Sequence, residues 1–242
     1  MIKKIDFHAD NFRLNGTLHF PENATPGNRK IPVVVGSHGL LSDGESPKQK
    51  VLAERMNEHG IAFFRFDHRG CGKSDGLFAT ATTYAGRVND LASAISTVMA
   101  HPGIGKPLGL FGSSMGGAVC LGIAEALEIV TIVTLAAPVR LEAIRIPPDI
   151  DKDPQFDGMK VEQMAFDVSG SLGKIRNILV FHGDADQVVS FSNASEIYEK
   201  AASPKRLIRF PGGDHAISAP DFQKTFIEET VAWFADALTA KP

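Results

Sequence analysis

Residues 108–117 read LGLFGSSMGG, an apolar run that breaks into Gly112-Ser113-Ser114-Met115-Gly116, with a serine at its centre and a glycine two residues to either side. A tight strand-to-helix turn with this spacing lifts the Ser114 hydroxyl clear of the backbone, and the flanking glycines let neighbouring chain approach without a Cβ clash. Ser113 points elsewhere in such a turn. The helix that begins at Met115 offers N–H groups without intrahelical partners, which favour negative charge nearby. A serine hydroxyl becomes a useful nucleophile only when a base removes its proton and a third group holds that base. His215 in FPGGDHAIS and Asp186 in FHGDADQVV complete the order serine, acid, histidine that accompanies this turn. Asp184 is two residues from Asp186, and a carboxylate at either position can reach an imidazole. Asp214, beside His215, is expected to face away from the ring plane into solvent.

Attack on a carbonyl places negative charge on its oxygen, which needs donors ready to receive it. The Met115 N–H is one. The second is expected from the loop after IPVVVGSHG, where Gly39 permits a bend that aims the Leu40 N–H at the same point.

These groups can meet only if the elements between them bring the turns to one place. Short apolar runs at 31–39, 61–70, 108–112, 129–138, 178–184 and 206–215 end in turn residues, and their near-continuous apolar character predicts strands buried on both faces of a parallel sheet. Helical stripes fill the gaps. Val51, Leu52, Arg55, Met56 and His59 follow a Ser46-Pro47 start, while Tyr84, Val88, Leu91, Ile95, Val98 and Met99 make a second stripe and Ile227, Val231, Phe234 and Leu238 a third. KKIDFHAD and FRLNGTLHF alternate more and predict an antiparallel hairpin at the sheet edge. The order predicts one mostly parallel, eight-stranded α/β sheet with helices on both faces, formed by residues 1–242 as a single domain. Sites in such sheets lie beyond the carboxyl ends of the strands, where all three motifs fall. Residues 139–172 break the rhythm, with Pro147-Pro148 and no clear period. Their length predicts a small cap or lid rather than a bare loop.

Composition narrows the classes. A net charge of −3 with 25 scattered Lys and Arg argues against a nucleic-acid partner. The two cysteines, Cys71 and Cys120, argue against a disulfide framework, and His38, His182 and His215 lack metal-ligand spacing. GCGKSDG at 70–76 falls short of a phosphate-binding loop, so no cofactor is expected. No run approaches the ~20 apolar residues of a membrane span, and the N-terminal residues lack the apolar stretch of a signal peptide, so a cytoplasmic location is expected.

HGLL at 38–41, FDHRGCGKSDG at 66–76, GSSMGG, HGDADQVV and GGDH together resemble the α/β-hydrolase family over about residues 20–240. The resemblance favours Asp186 over Asp184 as the acid, makes Asp67–Gly76 a structural turn and His38 a structural residue of the oxyanion loop. It implies a serine hydrolase acting through an acyl-enzyme, similar to small carboxylesterases of the feruloyl or cinnamoyl type, with a small-molecule ester as substrate. Dehalogenases and epoxide hydrolases of the family place an aspartate where this chain has Ser114. The same residues also suit a small-substrate peptidase or amidase, using an acid such as Asp149 or Glu162 to hold an amine, and a thioesterase or acyltransferase. A noncatalytic binding protein of this fold is the alternative from another class.

Overall fold

The structure, a computed structural model, describes residues 1–22, 30–124, 126–127, 129–145, 159 and 161–239. Its strands are β1 (Ile2–Ala9), β2 (Phe12–His19), β3 (Ile31–Ser37), β4 (Ala62–Phe66), β5 (Ile104–Ser113), β6 (Thr131–Leu135), β7 (Arg176–Gly183) and β8 (Ala202–Phe210). They form one eight-stranded sheet in the order β1-β2-β4-β3-β5-β6-β7-β8. β1 and β2 are the expected antiparallel hairpin, β2 joins β4 antiparallel, and the later neighbours are parallel.

The helices are α1 (Pro47–Glu58), α2 (Phe78–Ala81), α3 (Tyr84–Met99), α4 (Met115–Ile123), α5 (Ser192–Lys200) and α6 (Pro220–Thr239). Side chains alternate across a strand, so each apolar strand feeds two cores. Val33, Val35, Leu110 and Val180 pack with Leu91 of α3, Val119 of α4 and Ile197 of α5. Val34, Phe111, Val133 and Phe181 pack with Met56 of α1 and Phe226 and Phe234 of α6 on the other face. This two-sided burial is why the runs read as continuously apolar.

Two details of α1 depart from the sequence pattern. Ser46 occupies the N-cap position, yet its side chain makes no capping bond. The buried face is Gln49, Leu52, Ala53 and Met56, while Val51 is 41% exposed and His59 is exposed, so the stripe is rotated from the expected one. Only Leu52 and Met56 belong to both.

After β6 the chain makes single 3-10 turns at Leu141–Ala143 and Val161–Met164. Isolated bridges tie Arg140 to Asp167 and Ile144 to Val189. Pro147-Pro148, Asp149 and Phe156 of the expected insertion lie outside the described residues. Phe166 stacks on Tyr84 with ring centroids 4.5 Å apart, fixing this segment against α3.

Candidate active site

Ser114 lies just past β5, which runs between β3 and β6 in the middle of the sheet. Its φ of 50° and ψ of −125° fall in a region that non-glycine residues rarely adopt, and such strain persists only where the surroundings enforce it. Here they do. The Ser114 N–H donates to the Leu135 carbonyl at 2.7 Å and its carbonyl accepts from the Gly117 N–H at 2.8 Å. A Cβ on Gly116 would run into the Ser37 and His38 carbonyls, and one on Gly112 into the Gly116 carbonyl. The turn, α4 and the loop after β3 are therefore in direct backbone contact.

His215 follows β8, and its Nε2 lies 3.0 Å from the Ser114 Oγ. Its Nδ1 lies 2.7 Å from the Asp186 Oδ2. Asp186, in the turn after β7, accepts the N–H groups of Val188 and Val189 on Oδ1, each at 2.8 Å. Burial works to raise the Asp186 pKa. Hydrogen bonds from His182, His215 and the Val189 N–H outweigh it and hold the carboxyl well below its ordinary range. Asp186 is buried, whereas the His215 side chain is 25% exposed and lines the pocket. The three sequence-predicted groups thus form one continuous hydrogen-bonded chain.

The competing carboxylates are engaged elsewhere. Asp184 accepts from Arg209 Nε at 2.7 Å and from the Gly212 N–H at 2.6 Å. Asp214 accepts from the N–H and hydroxyl of Ser218 at 2.7 and 2.6 Å. Both hold turns. His182, weighed in the sequence only as a metal ligand, sits at the end of β7 with its Nε2 3.2 Å from the Asp186 Oδ2 and 2.8 Å from the Val189 carbonyl. Its spacing of four residues from Asp186 was the available signal.

On the opposite side, the His38 Nδ1 lies 2.7 Å from the Gly39 carbonyl and its Nε2 accepts the His68 N–H at 3.0 Å. An Nε2 that accepts leaves the proton on Nδ1. Burial first, then the charge of Arg87, lowers the His38 pKa well below 6.5 and keeps the ring neutral. Leu40 and Met115 both line the pocket beside Ser114. The Asp67 carboxylate accepts the N–H groups of Gly44 and Lys73 at 2.7 and 2.8 Å, giving the following turn a structural anchor.

Ser114 and His215 open onto a cavity of about 650 Å³. Its walls are mainly apolar, with Leu141, Ile144, Met159 and Met164 supplied by the segment after β6. Lys48 and Arg145 are the lysine and arginine in its lining, and no carboxylate lines it among the described residues. No group of three or more His, Cys, Asp or Glu that could hold a metal occurs among the described residues. No helix among them is long and apolar enough to cross a membrane.

A family model described as serine aminopeptidase, S33, matches residues 29–152. YfhR of Escherichia coli strain K12, itself described as an uncharacterized protein, is 30% identical over 222 residues, 88% of this chain and 73% of that protein. The mitochondrial palmitoyl-protein thioesterase ABHD10 of Mus musculus is 24% identical over 212 residues, 77% of this chain and 69% of that protein. Among solved structures, Est1E of Butyrivibrio proteoclasticus with ferulic acid bound superposes with a TM-score of 0.81 at 21% identity, covering 96% of this chain and 98% of that one. At that identity the likeness is one of fold.

Proposed function

Because the chain belongs to the serine aminopeptidase S33 family of α/β-hydrolases, we propose that it is a serine hydrolase that cleaves carboxylic esters of small molecules through an acyl-enzyme. The observation that carries this reading is the hydrogen-bonded chain from Asp186 through His215 to Ser114, opening on an apolar cavity. Ser114 Oγ attacks the ester carbonyl carbon while His215 Nε2 takes its proton. Asp186 holds the Nδ1–H and stabilises the imidazolium. The N–H groups of Leu40 and Met115 receive the negative charge on the carbonyl oxygen. Collapse breaks the bond to the alkoxide, which leaves with the proton from His215. A water molecule, deprotonated by His215, then attacks the acyl carbon and releases the acid and Ser114. The segment after β6 acts as the roof of the acyl pocket.

An ester is favoured over an aminoacyl amide by the pocket charge. A free substrate amine needs a carboxylate, and the described lining offers Lys48 and Arg145 instead. Glu162 is exposed and outside that lining. Thioesters are the second reading, supported by the apolar walls and by the thioesterase named among the relatives.

The test is hydrolysis of p-nitrophenyl esters from acetate to laurate, methyl ferulate, acyl-coenzyme A thioesters of matched length and an aminoacyl anilide, by wild type and Ser114→Ala. Ester cleavage by wild type that is lost in Ser114→Ala is expected. A thioester preference of about 100-fold or more in kcat/KM selects the second reading, and cleavage of the anilide alone overturns both.

A further inference from the structure

The Leu40 N–H can receive an oxyanion only if the Gly39–Leu40 peptide presents its N–H edge to Ser114, and a loop peptide can present either edge. We propose that Arg87 is the positioning residue that holds this peptide in the competent orientation and places a positive charge behind it. This inference rests on the ester-hydrolase reading above.

Arg87 lies on α3 and is fully buried. Its Nη1 donates to the His38 carbonyl at 3.1 Å, and its Nη2 donates to the carbonyls of Gly39 at 3.4 Å and Leu40 at 3.3 Å. The Cys71 Sγ accepts a further bond at 3.5 Å. Three consecutive loop carbonyls are thus gathered on one guanidinium. The Gly39 carbonyl also takes the His38 Nδ1–H, so two donors must be broken before that peptide can flip. In a trans peptide the N–H points opposite to the carbonyl. With the Gly39 oxygen turned to Arg87, the Leu40 N–H points away from it, and among the described residues no protein acceptor takes that N–H. A Cβ built on Gly39 would lie 3.5 Å from the Ser114 Cβ, so the loop runs against the nucleophile at this residue.

The charge has a second consequence. No carboxylate pairs with Arg87 within 4 Å among the described residues, and its Nε has no partner. A fully buried cation whose direct acceptors are all neutral, with the Asp90 carboxylate acting on it only at longer range, is costly to the fold. An oxyanion forming on the far side of the Gly39–Leu40 peptide adds negative charge on that side, with the peptide dipole aligned between the two.

Arg87→Met and Arg87→Lys test this beside wild type and Ser114→Ala. A trifluoromethyl ketone carrying the best acyl chain reports on the oxyanion, the product acid reports on ground-state binding, and thermal melts report on folding. The expected result is a kcat lower by about 100-fold in Arg87→Met and about 10-fold in Arg87→Lys, with KM within about twofold. The ketone should weaken in proportion to the lost rate while the acid binds as before. Folded variants with kcat and ketone affinity within about threefold of wild type overturn the inference, as does equal weakening of ketone and acid. Failure of both variants to fold assigns Arg87 to stability alone and also overturns it. Wild type as inactive as Ser114→Ala would instead remove the ester-hydrolase reading itself.

Discussion

At the scale of single residues, the candidate site is a set of carboxylates sorted by what else they touch. Asp184 and Asp186 are two positions apart, but the first is tied to Arg209 and Gly212, and the second to His215. Asp186→Asn is expected to lower kcat by about 10⁴-fold, because an amide at this position no longer holds the imidazole in the useful tautomer. Asp184→Asn should keep kcat within about twofold of wild type and lose a turn contact, a difference that steady-state kinetics on one good ester will show. His182→Phe keeps a ring in the space beside Phe191, with centroids now 5.9 Å apart, but removes the donor to Asp186 and to the Val189 carbonyl. The expected result is a kcat lower by about 10-fold at unchanged KM, with about 1–3 kcal/mol of stability lost, read by urea denaturation. Ser114, Asp186 and His215 were legible in the chain because the reaction they suit restricts both residue type and order. Arg87 was not, since it acts on carbonyls that only the fold brings near, while His182 left only its four-residue spacing from Asp186 as a signal.

Among the elements, the strands were the most legible, because a strand facing two cores must be apolar at nearly every position. Helices facing one core leave more freedom. In α1 the buried Gln49 replaces an apolar residue and shifts the stripe, and α5 offers only Ala194 and Ile197, with the buried Asn193, as a signal. Asn193 is held by its bond to the Val139 N–H at 2.9 Å, a distant partner that no local pattern announces. The junction of β3, β5 and α4 is the element-scale weak point of the site. Gly116→Ala drives a methyl into the Ser37 and His38 carbonyls, backbone that cannot swing aside. The variant should lose about 1–3 kcal/mol of stability. It should also lose activity beyond that accounted for by unfolding, measured as kcat per folded molecule.

For the molecule as a whole, acid is the informative variable. His19 on β2 accepts the Arg65 Nε–H at 2.9 Å on its Nε2. Burial, then the charges of Arg65 and Lys4, lower its pKa from 6.5 to about 4, with Glu45 offsetting only part. His38 and His68 are shifted in the same direction by burial. A depressed folded pKa means that the unfolded chain takes up protons first. The stability His19 contributes is complete above about pH 6.5, falls as pH drops through the interval to about 4, and is gone below it. The loss from His19 alone is at most roughly 3 kcal/mol. Urea midpoints at pH 7, 5.5 and 4 should fall steadily in wild type and less in His19→Gln, which keeps an acceptor for Arg65.

The strand order has one more consequence. Ser114 and its partner His215 are 101 residues apart in the chain, and the acid and the loop that faces them come from strands on either side of β5. A sheet in which β3 through β8 have not yet come together lacks at least one of them. A covalent serine-directed probe therefore serves as a census of assembled sites: the fraction labelled in a refolding sample counts chains in which β3 through β8 have come together, and should lag behind signals of helix formation or collapse.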